Sequence, residues 1–309
     1  MLLAKRISLL LALIIISMAS ALVWAKITKT LLVIDMQNKA ALPRNFRSSD
    51  ILPAFSTENI NWLGFSDLHI AGGAQFSEES LRTILQTLKV TRLTIIDLRQ
   101  ESHGFLDSNA ISWYGPQNAA NVKLTDEQVE KSEAARLNLL NKHHKARVYE
   151  ILSKTEDGMI DQTKMQIYPV QHAGSERELV EKYQLNYHRF YVQDFHAPVP
   201  NEVDRFVNLM KDFPKNEVIY FHCRAGVGRT TTFMVMYDMM RNAKQVSFDD
   251  ILTRHAAIGG KDINELPDEG SFKYKAAEER LEFLKRFYEY SRSNDDNFKT
   301  TWATWGANN

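Results

Sequence analysis

Residues 218–232 constrain this chain more than any other part of its sequence. They begin with an apolar run of β-branched and aromatic residues that ends at His222, continue through a turn with two glycines, and pass into an apolar helical pattern that begins near Arg229. This order predicts a buried strand, a tight loop and a helix. The loop also holds Cys223, which is the only cysteine of the 309-residue chain.

The predicted loop has the features of a binding site for a tetrahedral oxyanion. Its backbone N–H groups are expected to point at one centre, and its glycines are expected to permit the backbone angles that such a nest requires. The helix that follows directs the positive end of its dipole at the same centre, and Arg229 can bind two oxygens of the anion as a fork. Cys223 would lie at the floor, where this field favours the nucleophilic thiolate. The residues expected to surround the phosphate are Arg224, Ala225, Gly226, Val227 and Gly228.

The pattern His-Cys-x-x-Gly-x-Gly-Arg-Thr resembles the signature loop of the cysteine-dependent protein tyrosine phosphatases. A lone cysteine is more often an ordinary buried residue, but the complete pattern around Cys223 favours a catalytic role. The resemblance implies that Thr230 donates a hydrogen bond to the sulfur and stabilises it as a leaving group. It also implies that His222 orients the loop by hydrogen bonds.

A phosphatase of this kind needs an acid that protonates the departing oxygen. Asp194 lies upstream of Cys223 in a loop that contains Pro198 and Pro200, and the tyrosine phosphatases carry their general acid on a loop of this type. The same side chain could then act as the base that activates water in the second step. The alternative is a turn or helix-capping aspartate, which is the commoner role of aspartate near proline.

Alternating strand and helix patterns predict an α/β fold with a central sheet. The resemblance implies the cysteine-dependent protein tyrosine phosphatase fold, a central mixed sheet flanked by helices, over residues 26–309. Strand-rich segments at about 27–60 and 146–170 are expected to form a small β-rich subdomain. Residues 97–115 are predicted to be a polar loop.

Several further blocks are similar to the bacterial cysteine phytases, which are tyrosine-phosphatase-like inositol polyphosphatases. They are residues 43–47, 97–104, 107–115, 222–236, 255–260 and 272–275, and the tail around Trp302 and Trp305. The resemblance implies stepwise removal of phosphates from phytate, myo-inositol hexakisphosphate, with no metal and no cofactor.

A polyphosphorylated substrate requires cations around the loop, because only one phosphate occupies the loop itself. Arg47, Lys273 and Lys275 are candidates for such rim contacts, Arg44 and Arg99 are further ones, and Asp107 could order a ring hydroxyl or a rim lysine. Each of these charges could equally be a solvated surface group. The family's acid loop reads Asp-His, whereas here Phe195 follows Asp194 and His196 comes one position later. His196 is therefore a candidate substrate contact from a shifted position.

Two other functions are considered. An exported phosphatase could act on phosphotyrosine proteins or phosphoinositides. A catalytically inactive phosphate-binding module is expected to have lost Cys223, Arg229 or Asp194, and all three are present. The 38 basic and 38 acidic residues balance, so no overall positive charge favours nucleic acid as a partner. A single cysteine excludes an intrachain disulfide and a four-cysteine zinc site.

The N-terminus has the pattern of a secretory signal peptide over residues 1–25. Lys5 and Arg6 precede an apolar run, and small residues near its end offer cleavage sites. The alternative is an uncleaved membrane anchor, because the run approaches the ~18–20 residues that span a bilayer. The sequence therefore predicts an exported protein, periplasmic or secreted, with no stable membrane insertion after cleavage.

Overall fold

The computed structural model describes residues 30–52 and 59–308, so the predicted signal peptide lies outside the described residues. The strands are β1 (Leu31–Met36), β2 (Arg47–Ser48), β3 (Ile70–Ala74), β4 (Leu93–Asp97), β5 (His103–Leu106), β6 (Asn109–Tyr114), β7 (Lys145–Lys154), β8 (Ile160–Pro169), β9 (Ala173–Gly174), β10 (Asn186–Arg189) and β11 (Val218–Cys223). The helices are α1 (Glu78–Leu88), α2 (Asp126–His143), α3 (Glu176–Lys182), α4 (Pro200–Met210), α5 (Gly228–Asn242), α6 (Phe248–Ala257), α7 (Tyr274–Arg292) and α8 (Trp302–Asn308). Short 3-10 turns occupy Ser66–Leu68 and Pro116–Asn118.

A five-stranded mixed sheet in the order β10-β4-β11-β3-β2 forms the centre of the molecule, which confirms the predicted architecture. The first four strands are parallel, and β2 runs antiparallel to β3. On β11, Ile219 and Phe221 face one hydrophobic core, whereas Val218 and Tyr220 face another. Burial of both faces is typical of a parallel sheet and explains why this strand is apolar throughout.

Helices cover both faces of the central sheet. Apolar residues of α4, α5, α6 and α7 fill the first core together with Trp302 of α8, and residues of α1 and α3 fill the second core. The helices begin where the sequence places their caps. Thr125 and Ser175 form complete capping boxes, and Ser77 and Ser247 accept a hydrogen bond from the first turn of the helix that each one caps.

A second sheet in the order β1-β6-β5-β9 has its own core, formed with α2 and the β7–β8 hairpin. Strand β1 contacts β7 of this hairpin, so parts of the two strand-rich segments noted in the sequence lie side by side. Residues Arg47–Ser48 instead pair with β3 and belong to the central sheet.

The prediction of a polar loop over residues 97–115 is wrong, because β5 and β6 form an antiparallel hairpin there. Both strands are completely buried, including His103 and Ser112, so polar residues do not alternate with apolar ones as they would on a half-exposed strand. The connecting turn places Asp107 and Ser108 at φ 47° and 69° without a glycine or an asparagine. The usual sequence signal of a two-residue hairpin is therefore missing.

Among the residues that the structure describes, no helix is both long enough and apolar enough to cross a membrane.

Candidate active site

The loop between β11 and α5 surrounds the sulfur of Cys223, which is buried. The backbone N–H of Gly226 and the hydroxyl of Thr230 each donate a hydrogen bond to this sulfur at 3.3 Å. Helix α5 begins at Gly228, so the positive end of its dipole faces the loop. Donors directed at the sulfur stabilise its anionic form more than its neutral form.

The two glycines of the loop serve different purposes. Gly226 has φ 73°, and a Cβ there would lie 2.2 Å from the backbone nitrogen of Ala74, so no side chain fits. Gly228 does not adopt a positive φ, contrary to the expectation that both glycines supply special backbone angles. A Cβ at Gly228 would lie 2.8 Å from Nη1 of Arg280, so this glycine makes room for a cation at the edge of the site.

Arg229 lies beneath the loop and is almost fully buried. Its Nη1 donates to Oε2 of Glu101 at 2.7 Å, and its Nη2 donates to Oε1 of the same carboxylate at 3.0 Å. Nη2 also lies 3.3 Å from Oδ1 of Asp194. Burial alone would lower the pKa of Arg229, but the charges of Asp194, Glu101 and Cys223 outweigh burial and raise the pKa well above its usual value.

The carboxylate of Asp194 stands beside this arginine and lines the same cavity as Cys223. Asn118 donates from Nδ2 to Oδ2 of Asp194 at 2.9 Å, and the backbone N–H of Phe195 donates to Oδ1 at 3.0 Å. Phe195 has φ 70°, a left-handed conformation that bends the chain directly after the acid. The structure thus brings together the predicted nucleophile, arginine and acid.

A cavity of about 520 Å³ opens above Cys223. Five cationic side chains line it, namely Lys154, Arg224, Lys261, Lys273 and Arg280, and the carboxylates in its wall are Asp194 and Glu265. Nε of Arg229, which is buried, has no hydrogen-bond partner within residues 30–52 and 59–308, and Nε of Arg280 has none there either. Unpartnered buried donors and a surplus of cations indicate a site for an anion.

Of the sequence candidates for rim contacts, Lys273 alone lines this cavity, together with Arg224 of the loop. Nζ of Lys273 lies 5.3 Å from the ring centre of Phe195 and 5.4 Å from that of Phe272. These two rings pack edge to face, so the residue that replaces the family's histidine contributes to an aromatic wall.

The structure places Arg47 behind the loop, where it is buried and cannot form the predicted rim contact. Its Nη1 donates to the carbonyl of Gly226 at 2.7 Å, and its Nη2 donates to the hydroxyl of Thr231 at 2.9 Å. Burial lowers the pKa of Arg47 to about 10, although the charge of Cys223 acts in the opposite direction. Arg47 therefore stabilises the loop through these two hydrogen bonds.

Four other candidates lie away from the cavity. The carboxylate of Asp107 accepts hydrogen bonds from the backbone of Gln171 and His172, and Nδ1 of His196 lies 4.0 Å from a carboxylate oxygen of Glu279. Lys275 and Arg44 are exposed and do not line the cavity.

Arg99 is fully buried and links two parts of the site. Its Nε donates to Oε1 of Glu101 at 2.9 Å, and its Nη2 donates to Oδ2 of Asp35 at 3.0 Å. Asp35 in turn accepts from Nε of Arg224 at 2.7 Å. A chain of alternating charges therefore runs from Arg224 to Arg229. Sequence reasoning did not identify Asp35, Glu101, Asn118, Lys154 or Arg280, because each comes from a distant segment without a local motif.

His222 belongs to a buried cluster of histidines and carboxylates. Nε2 of His222 is 2.6 Å from Oε1 of Glu176, and Nε2 of His103 is 3.1 Å from Oδ2 of Asp97 and 3.4 Å from Oε2 of Glu176. Burial lowers the pKa of His103, but the adjacent Asp97 raises it more, to about 9. Asp97, His103 and Glu176 offer a ligand set that could hold a metal ion. Arg189, with Nε 3.3 Å from Oδ2 of Asp97, already supplies positive charge at this position.

Known proteins share this fold. Residues 96–241 match the family model of the PTP-like phytases, described as "Inositol hexakisphosphate". The PTP-like phytase of Bdellovibrio bacteriovorus is 32% identical, with a TM-score of 0.67 over 90% of this chain and 95% of that chain. The PTP-like myo-inositol phosphatase of Mitsuokella multacida, solved with myo-inositol-(1,3,4,5)-tetrakisphosphate, is 31% identical, with a TM-score of 0.81 over 91% of this chain and 50% of that chain.

A bacterial effector is also related. Effector protein hopD2 of Pseudomonas syringae pv. tomato is 31% identical over 248 residues, which are 79% of this chain and 52% of the effector. The chain spans about half the length of this effector and of the Mitsuokella enzyme. The Bdellovibrio structure, in contrast, is matched almost from end to end. With its mixed sheet and its cysteine loop, the chain belongs to the family of PTP-like phytases and has the fold of the cysteine-dependent phosphatases.

Proposed function

We propose that the chain is a phosphomonoesterase that hydrolyses phytate and lower inositol polyphosphates through a cysteinyl-phosphate intermediate. The observation that carries this proposal is the position of Cys223. Its sulfur accepts two hydrogen bonds at the floor of a cavity lined by five cations, and Asp194 stands in the wall of the same cavity. A nucleophile, an acid and a phosphate cradle therefore share one space.

In the first step, the thiolate of Cys223 attacks the phosphorus atom, and the bond between phosphorus and the ester oxygen breaks. Asp194, in its protonated form, gives its proton to the departing alkoxide, which leaves as an alcohol. Asn118 and the backbone of Phe195 hold the carboxyl group in place. The free N–H of Arg229 Nε can donate to a phosphate oxygen and stabilise the negative charge of the transition state.

In the second step, the Asp194 carboxylate takes a proton from a water molecule as the water oxygen bonds to phosphorus. The bond between sulfur and phosphorus breaks, and the electron pair returns to Cys223 as a thiolate. The hydroxyl of Thr230, 3.3 Å from the sulfur, stabilises this leaving group. Inorganic phosphate is released, and Asp194 is protonated again for the next cycle.

The choice of inositol polyphosphates rests on the cations around the cavity. A phosphate in the loop would meet the unpartnered Nε of Arg229, while further phosphates would meet Arg224, Lys154 and Lys273, which line the cavity. The related Mitsuokella enzyme was solved with an inositol tetrakisphosphate, which supports the same substrate class for this chain. A second candidate is an exported phosphatase that acts on phosphotyrosine proteins or phosphoinositides, and the similarity to a bacterial effector protein supports the effector part of this candidate.

The two candidates are separated by comparing kcat/KM of the purified protein on phytate, a phosphotyrosine peptide and a phosphoinositide. We expect phytate to be the best substrate by at least about tenfold, because its six phosphates offer more negative charge to the five cations than either of the other substrates does. Chromatography of the inositol phosphates should show stepwise products. A phosphopeptide preferred by orders of magnitude would replace the leading proposal with the second candidate.

We propose further that the protein is exported, on the basis of the signal-peptide pattern of residues 1–25. Cell fractionation and N-terminal sequencing of the native protein test this proposal. A mature N-terminus near residue 26 is expected, whereas an intact N-terminus in the membrane fraction would indicate an anchor.

A further inference from the structure

Asp35 lies at an irregularity of β1, and its position there determines where its side chain points. The register between β1 and β6 shifts between Ile34 and Met36, so the intervening Asp35 has no regular partner on the neighbouring strand. Irregularities of this kind redirect a side chain and are common beside active sites. Here the carboxylate is directed to the interior, where its side chain is 1% exposed.

Two arginines and a serine hold this carboxylate. Oδ1 of Asp35 accepts from Nε of Arg224 at 2.7 Å and from the hydroxyl of Ser112 at 3.0 Å, and Oδ2 accepts from Nη2 of Arg99 at 3.0 Å. Burial alone would raise the pKa of Asp35, but the charges of Arg224 and Arg99 lower it below its usual value. Asp35 is therefore a fixed anion, and it bonds Arg224 through the inner nitrogen of the guanidinium.

The outer part of the Arg224 guanidinium faces the cavity above Cys223. The side chain is 23% exposed, and its central carbon lies 4.6 Å from the ring centre of Tyr114. Nζ of Lys154 lies 4.3 Å from the same ring centre and donates to its hydroxyl at 2.6 Å. Burial and the charge of Arg224 lower the pKa of Lys154. Arg224 and Lys154 are like charges near the same ring, so they repel each other. An anion bound between them would relieve this repulsion.

We propose that Asp35 is a positioning residue that makes the enzyme select substrates with a second phosphate beside the one being cleaved. Asp35 fixes the position of the Arg224 guanidinium. The guanidinium and Lys154 together then bind the second phosphate. The substrate class is thus a polyol with phosphates on adjacent carbons. This inference rests on the proposed function and deepens it, because it names the residue that confers the preference for polyphosphates.

The test compares two substrates, myo-inositol hexakisphosphate and 4-nitrophenyl phosphate, which has a single phosphate. Asp35→Asn keeps the shape of the side chain but weakens its hold on both arginines. We expect KM for the hexakisphosphate to rise about tenfold, as for the loss of one charge-assisted contact, with kcat changed less than about threefold. KM and kcat for the aryl phosphate should stay within about twofold, because that substrate has no second phosphate to lose and Glu101 still holds Arg229 through two hydrogen bonds.

A double-mutant cycle shows whether Asp35 acts through Arg224. Arg224→Met alone should raise KM for the hexakisphosphate, and adding Asp35→Asn to it should have little further effect. Asp67→Asn removes an exposed carboxylate outside the site and serves as the control, with KM unchanged. Full additivity in the cycle, or an equal loss on both substrates, would overturn the proposal.

The outcomes also separate this proposal from the proposed function. If the wild-type protein hydrolyses the hexakisphosphate while Asp35→Asn keeps its KM, only the role of Asp35 is lost. If the wild-type protein hydrolyses the aryl phosphate but not the hexakisphosphate, both proposals are overturned. Should Asp35→Asn fail to fold, Asp35→Glu keeps the charge but displaces it by one methylene group. That variant must also raise KM for the hexakisphosphate selectively, and an unchanged KM would contradict the proposal.

Discussion

Glu101 and Arg229 form a bidentate ion pair under the phosphate loop, with N–O distances of 2.7 and 3.0 Å. Both side chains are about 1% exposed, so neither charge has water as an alternative partner. The same carboxylate also accepts from Arg99, which makes it the link between the two arginines. Nη1 of Arg229 also donates to the carbonyls of Val192 at 3.0 Å and Leu98 at 3.2 Å, and Asp194 lies beside Nη2. Glu101 therefore makes the bidentate contact among those that orient Arg229 and its free Nε.

We expect Glu101→Gln to lower kcat/KM for phytate by about 10–100-fold, because an amide can accept at only one atom and would direct a donor at an arginine. The variant should also lose about 3 kcal/mol of unfolding free energy, as is typical when a buried ion pair is broken. Kinetics and denaturant unfolding measure the two effects. Glu278→Gln, an exposed change on α7, is the control. Wild-type kinetics in Glu101→Gln would show that the ion pair does not position Arg229.

Replacing Cys223 with serine should reduce turnover by at least about a thousandfold, because the hydroxyl is a far weaker nucleophile than a stabilised thiolate. The donors Gly226 and Thr230 remain, so the variant should still bind phosphate and keep its fold. Steady-state kinetics, phosphate titration and thermal unfolding check this expectation. Full turnover in the Cys223→Ser protein would exclude the cysteinyl-phosphate mechanism.

Asp194→Asn should slow hydrolysis of phytate by about 10²–10⁴-fold, the usual contribution of a general acid. The first step on 4-nitrophenyl phosphate should be much less affected, because its leaving group departs without a proton. Pre-steady-state measurements on the aryl substrate isolate that step. Asp249→Asn, on the exposed side of α6, controls for the loss of a charge. Equal effects on the first step for both substrates would argue against Asp194 as the acid.

Activity should persist after treatment with a chelator, because the proposed chemistry uses only Cys223, Asp194 and Arg229. The measurement is kcat on phytate before and after dialysis against EDTA, with added Mg²⁺ and Zn²⁺ as comparisons. A loss that one metal restores would show that a metal-dependent step is missing from the mechanism.

The parts of the site that the sequence predicted are local in the chain. The cysteine loop lies between a strand and a helix whose apolar patterns are continuous, and Asp194 lies on a proline-containing loop. The expectation that the loop needs a glycine with unusual backbone angles is confirmed at Gly226, which has a positive φ. These features are determined by residues that are close together in the chain, so local sequence patterns predict them.

The buried charged residues that hold the site together could not be predicted, because tertiary packing determines which partners they have. Glu101 lies in a stretch predicted as loop, and Asp35 lies in a strand whose irregularity leaves no trace in the sequence. Arg47 was expected at the rim because a polyphosphate needs cations there, yet the carbonyl of Gly226 and the hydroxyl of Thr231 provide it with buried partners. Only the packing of segments far apart in the chain shows where such charges are satisfied.

The buried pair of His103 and Asp97 predicts how stability depends on pH. Burial lowers the pKa of His103 and the Asp97 charge raises it more, from the usual 6.5 to about 9. A raised pKa means that the folded state binds the proton more tightly than the unfolded state does. The stabilising contribution is therefore complete below pH 6.5 and is lost as the pH rises through 9. For Glu176, burial raises the pKa but the interaction with His222 lowers it more, from 4.5 to about 2. Its contribution is complete above pH 4.5 and is lost as the pH falls through 2.

The contribution of His103 to the free energy of unfolding should therefore decline by on the order of 2–3 kcal/mol between pH 6.5 and 9. Denaturant unfolding at a series of pH values measures this slope. His103→Gln should be less stable at pH 6 and should show a flatter curve between pH 6.5 and 9, because it has no proton to release. His196→Gln, a change at a more exposed histidine, should keep the wild-type slope. If His103→Gln declined as steeply as the wild type over this range, the proton that stabilises the fold would have to reside on another group.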